Sequence, residues 1–232
     1  FIAKKDTARA DWISGISHDV RTPLSVILGF AGQLEDDRTL PASAREQAAC
    51  IRKQGERLRS LISDLNLTSR LEYAMQPLRM ETVYLVELAR QAICELLDSG
   101  LEERYEIEFC ADRESESVSI LGDEALLKRA LGNLIQNSIV HNPQGCRIAV
   151  SVLRGEAGIM VDVADDGAGV SAEMLKELTA DSHHLESTDE KLNLRHGLGV
   201  LLVRQIVEVH KGTMTMESAP QKGFRTVLTF PA

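Results

Sequence analysis

The chain has 232 residues, 44% of them apolar and 26% charged, with a formal net charge of −9. That is a globular composition with room for two modest domains, and the lack of any run of 18 apolar residues or signal-peptide pattern excludes a membrane span within it. Residues 1–76 carry 11 basic and 10 acidic side chains and residues 77–232 carry 15 and 25, so neither part has the basic stripe that nucleic-acid binding needs.

The four cysteines, Cys50, Cys94, Cys110 and Cys146, are scattered, with no C-x-x-C pair and no histidines at zinc spacing. They read as buried, reduced thiols of a cytoplasmic protein, not as a metal or redox site. The chain opens at Phe1, without a methionine, in sequence that already looks helical, and so reads as a piece of a longer protein.

In the first third, Ile13, Ile16, Val20, Leu24, Ile27, Ala31 and Leu34 recur at steps of three and four, one apolar stripe of a bundle helix. "EDDRTLPAS" (35–43) is a predicted turn, with Ser43 as N-cap and Glu46 completing a capping box for a second helix. Ile51, Gly55, Leu58, Ile62 and Leu65 form that helix's seam. Two antiparallel helices with stripes this narrow cannot bury both faces alone, which predicts a homodimeric four-helix bundle.

From Pro77 the pattern changes, with "MQPL" (75–78) as the expected hinge between domains 1–76 and 77–232. Short alternating strands ("YEIEFCA", "CRIAVSVLR", "GIMVDVADD", "TMTMES", "RTVLTF") interleave with helical stretches ("VYLVELARQAICELLDSG", "DEALLKRALGNLIQNSIVH", "GVLLVRQIVEVH"). Without a strict βαβ repeat, this predicts an α+β sandwich with helices on one face of a mixed sheet. "LTADSHHLESTDEKLNLRHG" (178–197) has no apolar periodicity and is expected to be a long functional loop.

His18 sits on the first helix about 200° from its apolar stripe and therefore faces water. Asp19 is its neighbour, and Thr22 lies one turn along on the same face. Pro23 removes the N–H that would bond the Asp19 carbonyl, so a bend is expected just after the histidine. By itself this is a surface histidine in a proline-kinked helix.

In the second part, Asn133 and Asn137 lie four apart on one helical face. Amide oxygens so spaced can serve Mg²⁺ and its water shell, with the amide N–H groups toward phosphate; two solvated amides would look the same. "DVADDGAGV" ends an apolar strand in D-x-G-x-G (Asp165, Gly167, Gly169), which is either a plain Asp-Gly turn or a carboxylate placed to accept from an exocyclic adenine amine. Gly197 and Gly199 are read as preceding an apolar helix whose free N–H groups would face a phosphate chain, or as an ordinary glycine-rich loop. Gly223, in a predicted closing hairpin, either approaches the same pocket or merely serves the turn.

"SHDVRTPL" (17–24) resembles the H box of two-component sensor histidine kinases over all eight residues. The order of N-x-x-x-N, D-x-G-x-G, long lid and G-x-G resembles the GHKL ATPases, which include those kinases. The resemblance covers nearly the whole chain from Asp11. It implies an all-α hairpin followed by an α+β sandwich of GHKL type, and phosphorylation of His18 from ATP, with Asp19 as general base on the other ring nitrogen. It implies Mg²⁺ on Asn137, phosphate support from Asn133, adenine recognition by Asp165, and transfer to an aspartate of a response regulator receiver domain. Thr22 would place a water for the opposing phosphatase activity, and the parent protein would be anchored in the cell membrane. Rival readings are an ATPase of the same fold that uses water instead of histidine, a catalytically dead dimeric scaffold of that ATP-binding fold whose altered N-x-x-x-N box no longer holds Mg²⁺–ATP, and a predominantly phosphatase protein.

Two positions depart from the family. Where a lysine is frequent after the second Asn this chain has Val140, and His141 is the residue expected to take its place. No phenylalanine-bearing segment is recognisable before the lid, where Lys191 or Arg195 is expected to approach the γ-phosphate.

Overall fold

A computed structural model describes residues 2–155, 158–180 and 193–231, with side chains from Gly15 onward and, in the last stretch, from Leu198. The chain divides into two compact units, residues 1–76 and 77–232.

Helix α1 spans Ile2–Asp36 and continues through Pro23, while α2 spans Ala42–Glu72. They are antiparallel and packed through small residues. A Cβ added at Gly55 would lie 2.7 Å from the Leu28 side chain, so a larger residue there would make that leucine shift. Leu24, Ala31 and Ala48 are buried, whereas Ile16, Ile27, Leu34, Ile51, Leu58 and Leu65 are all more than two-fifths exposed. Leu24 and Ala31 of the first predicted stripe and Gly55 of the second thus close the hairpin, while three residues of each stripe face outward; Ile13 lies outside the described side chains. Toward the end of the hairpin where the turn joins the helices, Arg52 donates from Nε to Glu35 Oε2 and from Nη2 to Oε1 (3.1 Å), a bidentate clasp between them.

The predicted cap of α2 is corrected. The helix starts at Ala42 and its N-cap is Pro41, with no side-chain cap bond, so neither Ser43 nor Glu46 caps it. The turn is organised one step earlier, where Asp37 Oδ1 accepts from the Thr39 N–H (2.8 Å) and hydroxyl (2.6 Å). Pro41, at φ −57° and ψ 148°, then offers its carbonyl to the N–H groups of Ala44 and Arg45.

The second unit is built on a five-stranded mixed sheet of order β2-β4-β5-β7-β6, where β2 is Tyr105–Ala111, β4 Cys146–Gly155, β5 Gly158–Asp165, β6 Thr213–Ser218 and β7 Phe224–Phe230. Only the β2–β4 pair is parallel. Ile148, Val150 and Val152 on β4 face Val161, Val163, Leu228 and Phe230 on the same inner face, each 5% exposed or less, while alternate residues face water. Helices α3 (Leu85–Asp98), α4 (Glu124–His141) and α6 (Asn193–Val209) supply the other layer, led by Val86, Ala89, Leu131, Ile135, Leu202, Val203 and Ile206.

Two short strands, β1 (Glu81–Tyr84) and β3 (Ser119–Gly122), pair antiparallel beside this sandwich and were not legible as strands. Val83 and Tyr84, predicted as the start of a helix, belong to β1; α3 begins at Leu85. A short helix α5 (Ala172–Thr179), capped by the Ser171 hydroxyl accepting from Met174 N (3.3 Å), was not among the expected helices, and its last two residues overlap the loop expected over 178–197.

Candidate active site

His18 projects from α1 with its side chain 78% exposed, and its Nδ1 lies 3.5 Å from Asp19 Oδ1. Ser17, one residue before, is buried; Thr22 is exposed, so the helix turns its hydroxyl outward on the histidine's face. With Nδ1 turned to a carboxylate, the free edge of the ring is Nε2. In the tautomer that carries its proton on Nδ1, Nε2 would present a lone pair to solvent.

In the second unit the sequence of α4 determines which groups gather. Asp123 caps the helix, its Oδ1 accepting from Leu126 N (3.1 Å), and Leu127, Ala130, Leu131, Leu134 and Ile135 turn inward onto the sheet. The last turn then places Asn137, Ser138 and His141 on the wall of a cleft of about 240 Å³, opposite Asp165 and Gly169. Leu134, Val163, Met174, Val200, Phe224 and Thr226 make the rest of the lining largely apolar. An apolar slot with one carboxylate and a few amides suits a flat heterocycle with polar edges.

Asp165 is not loose in this cleft. Its Oδ2 accepts from the Ser138 hydroxyl (2.7 Å), and its Oδ1 accepts from Asn142 Nδ2 (3.2 Å) and Gly167 N (3.0 Å). Asn142 also donates to Ser138 O (2.8 Å) and accepts from Ala168 N (3.0 Å). The two glycines have steric reasons. A Cβ at Gly167 would fall 1.9 Å from Asn142 Oδ1, and Gly169, at φ +62°, has no room either, since its Cβ would sit 2.1 Å from Ala219 O. Gly223 comes close as well, its N–H donating to Gly167 O at 3.0 Å.

Cys146 lies under the same corner, its thiol directed at Ser138 O (3.7 Å). It is buried, whereas Cys50, Cys94 and Cys110 are exposed on the outward sides of their elements, which corrects the expectation of four buried thiols. Burial first, then the negative charges of Asp165 and Asp166, push the pKa of Cys146 up to about 11, so it stays a protonated thiol at neutral pH.

The structure brings Asn137, His141, Asp165, Gly167 and Gly169 together. Gly199 joins them from α6, since a Cβ there would meet Asn137 Oδ1 at 3.4 Å. Asn133, one turn earlier, is not in the cleft wall; its Nδ2 is buried and has no hydrogen-bond partner among the described residues. The expectation that Gly197 and Gly199 precede the helix is corrected. The helix begins at Asn193, so both lie inside it, beyond the four residues whose N–H groups are left free. Gly199 sets this part of α6 within van der Waals reach of Asn137. Lys191, His183 and His184, and the side chain of Arg195, lie outside the described residues. Beside the loop, Arg204 of α6 donates to Leu178 O (2.8 Å) and Thr179 O (3.4 Å), tying α5 to α6.

Sequence reasoning missed Ser138, Asn142 and Thr226. Thr226 had a signal, since the period-two pattern of "FRTVLTF" turns it inward with Leu228 and Phe230, and it is 3% exposed. Ser138 and Asn142 had none that separates them from any polar residue at a helix end.

Residues 8–74 match the His Kinase A (phospho-acceptor) domain, and residues 122–232 match the histidine kinase-, DNA gyrase B- and HSP90-like ATPase. The sensor histidine kinase YvrG of Bacillus subtilis is 31% identical over 229 residues, which are 97% of this chain and 38% of that protein. The sensor-like histidine kinase SenX3 of Mycobacterium tuberculosis is 27% identical over 99% of this chain and 55% of its own. The chain thus spans about two-fifths to just over half of these relatives. Among solved structures, full-length ShkA in complex with AMPPNP superposes with a TM-score of 0.70 at 25% identity, over 96% of this chain and 47% of that one. The histidine kinase AdeS of Acinetobacter baumannii shares the fold, with a TM-score of 0.60 at 18% identity over 92% of this chain and 98% of its own. With a phospho-acceptor hairpin carrying His18 and an ATPase sandwich closing on Asp165, the chain belongs to the sensor histidine kinase family.

Proposed function

We propose that this chain is a kinase core that phosphorylates His18 from Mg²⁺–ATP and passes the phosphoryl group to an aspartate on the receiver domain of a response regulator. The observation that carries it is the cleft: an apolar slot with the held carboxylate of Asp165 at one side and Asn137, His141 and Gly199 at the other. Adenine would lie between Val163, Val200 and Thr226, its exocyclic amine donating to Asp165. The phosphate chain would run past Asn137 and His141 toward α6, with Asn133 behind.

The residues present fit a Mg²⁺ ion. No group of three His, Cys, Asp or Glu among the described residues could hold a metal, and the Asn137 amide faces the cleft. An octahedral hard cation that keeps water and phosphate ligands needs little more than that oxygen. When bound, the ion neutralises charge on the phosphates.

In the transfer, Nε2 of His18 forms the new N–P bond as the bond between the γ-phosphorus and the β,γ-bridging oxygen breaks and ADP leaves. Asp19 holds the Nδ1 proton and stabilises the imidazolium that develops. Positioning and charge neutralisation supply most of the rate. The exposed apolar residues of α1 and α2 support a homodimer in which two hairpins close a four-helix bundle. Thr22, beside His18, would serve a phosphatase activity toward the regulator, and the parent protein would hold this core in the cytoplasm from a membrane anchor. No helix among the described residues is long and apolar enough to cross a membrane.

The test is incubation with γ-labelled ATP and Mg²⁺. Acid-labile, base-stable label is expected on the wild type and absent from His18→Gln and Asn137→Ala. ATP turnover indifferent to His18→Gln would mean an ATPase using water, and absence of ATP binding a scaffold.

A further inference from the structure

We propose that Asn142, assisted by Ser138, is a positioning residue that sets the base selectivity of the cleft by immobilising the carboxylate of Asp165. The inference rests on reading the cleft as an adenine-nucleotide site. An ionised carboxylate offers about four acceptor positions. Three are taken here: two on Oδ1, by Asn142 Nδ2 and Gly167 N, and one on Oδ2, by the Ser138 hydroxyl. One lone pair of Oδ2 is left for the cleft. A 6-amino purine supplies the N–H that this lone pair requires, whereas a 6-oxo purine sets oxygen against oxygen. Such a site discriminates only while the carboxylate cannot turn aside, and the three internal bonds hold it from both ends.

Asn142 is the centre of that restraint. It is 7% exposed and spends its whole amide internally, donating to Ser138 O and Asp165 Oδ1 and accepting from Ala168 N. The Ala168 N–H can only donate, which assigns the facing atom of Asn142 as its oxygen and the other as the amide nitrogen. One side chain at the end of α4 therefore locks both the carboxylate and the loop that follows β5. The absence of a side chain at Gly167 completes the fit, since any Cβ there would enter the space of the Asn142 oxygen.

The experiment compares ATP with inosine triphosphate, which carries an oxo group at purine position 6, by direct titration of the full chain and by kinetics of His18 phosphorylation. Asn142→Ala is expected to lower the ATP-to-ITP affinity ratio about tenfold and to raise KM for ATP while kcat holds within about twofold. Ser138→Ala is expected to lower the ratio about threefold, and Ser138→Thr to restore it. A purely structural role predicts a lower melting temperature with the ratio unchanged, and that result overturns the proposal. Should Asn142→Ala fail to fold, the Ser138 pair decides: an unchanged ratio in Ser138→Ala overturns it equally. A wild-type chain that binds neither nucleotide defeats the adenine-nucleotide reading itself, whereas one that binds ATP with a mutation-insensitive ratio defeats this inference alone.

Discussion

Phe30 and Phe230 are the same side chain treated oppositely by the two units. Phe230 ends β7 and is 1% exposed among the sheet and helix residues of the sandwich; Phe30 stands on α1 with 62% of its surface open. The sandwich has two layers and can bury an apolar face by itself. The hairpin has only two helices, so each can cover one side of the other, and the remainder of each stripe is left outside. The difference teaches that the ATPase unit carries its own core, whereas the phospho-acceptor unit needs a second surface to complete one.

Three experiments test that contrast. The largest effect is expected from Phe230→Ala, which should destabilise the sandwich by about 3–5 kcal/mol, because the vacated space cannot collapse between packed layers. Phe30→Ala should leave the same denaturant transition of the full chain within about 0.5 kcal/mol. Equal losses would erase the distinction between the units.

Next, Leu58 lies at the middle of the exposed series Ile51, Leu58, Leu65, spaced by seven residues. Leu58→Glu should weaken self-association at least about tenfold in sedimentation equilibrium, since a buried leucine contributes about 1.5–3 kcal/mol. The sandwich transition should not move. An unchanged association constant would mean the exposed stripe is not the dimer seam.

The smallest effect concerns pH. The hydrogen bond from Arg52 holds the Glu35 carboxyl below the ordinary carboxylate range. A lowered folded-state pKa contributes stability above the unfolded value and loses it as pH falls through the folded one. The melting temperature of the hairpin should therefore exceed that of Glu35→Gln near neutrality, and the two should converge in acid below the usual carboxylate pKa. The pair is still partly open to solvent, so the gap should also shrink with added salt. A gap that persists in acid would assign the clasp to packing instead of charge.

The long periodic elements were legible in the sequence, and the short ones were not. The five sheet strands announce themselves by alternation over six to ten residues, and α4 by its apolar spacing. Strands β1 and β3 have four residues each, too few for a period to show, and Tyr84 is half exposed, which breaks any alternation. At the turn between α1 and α2, Ser43 looked like a cap because its spacing to Glu46 suits one, but Pro41 had already started the helix. The motif residues Asn137, Asp165, Gly167 and Gly169 could be named from the sequence; Asn142, five residues after Asn137, could not.

By itself the sequence determined that an exposed histidine rides on a helix, that two helices precede a mixed sheet, and which glycines and amides are candidates for a nucleotide. Those properties follow from local spacing, which sets the face of a helix or strand whatever lies beyond. Only the tertiary structure decided that Ser138 and Asn142 hold Asp165, that Gly199 lies against Asn137, and that three residues of each bundle stripe stay open. These depend on contacts between residues 23 to 62 positions apart, and a hydrogen bond between distant residues leaves no period in the chain that makes it.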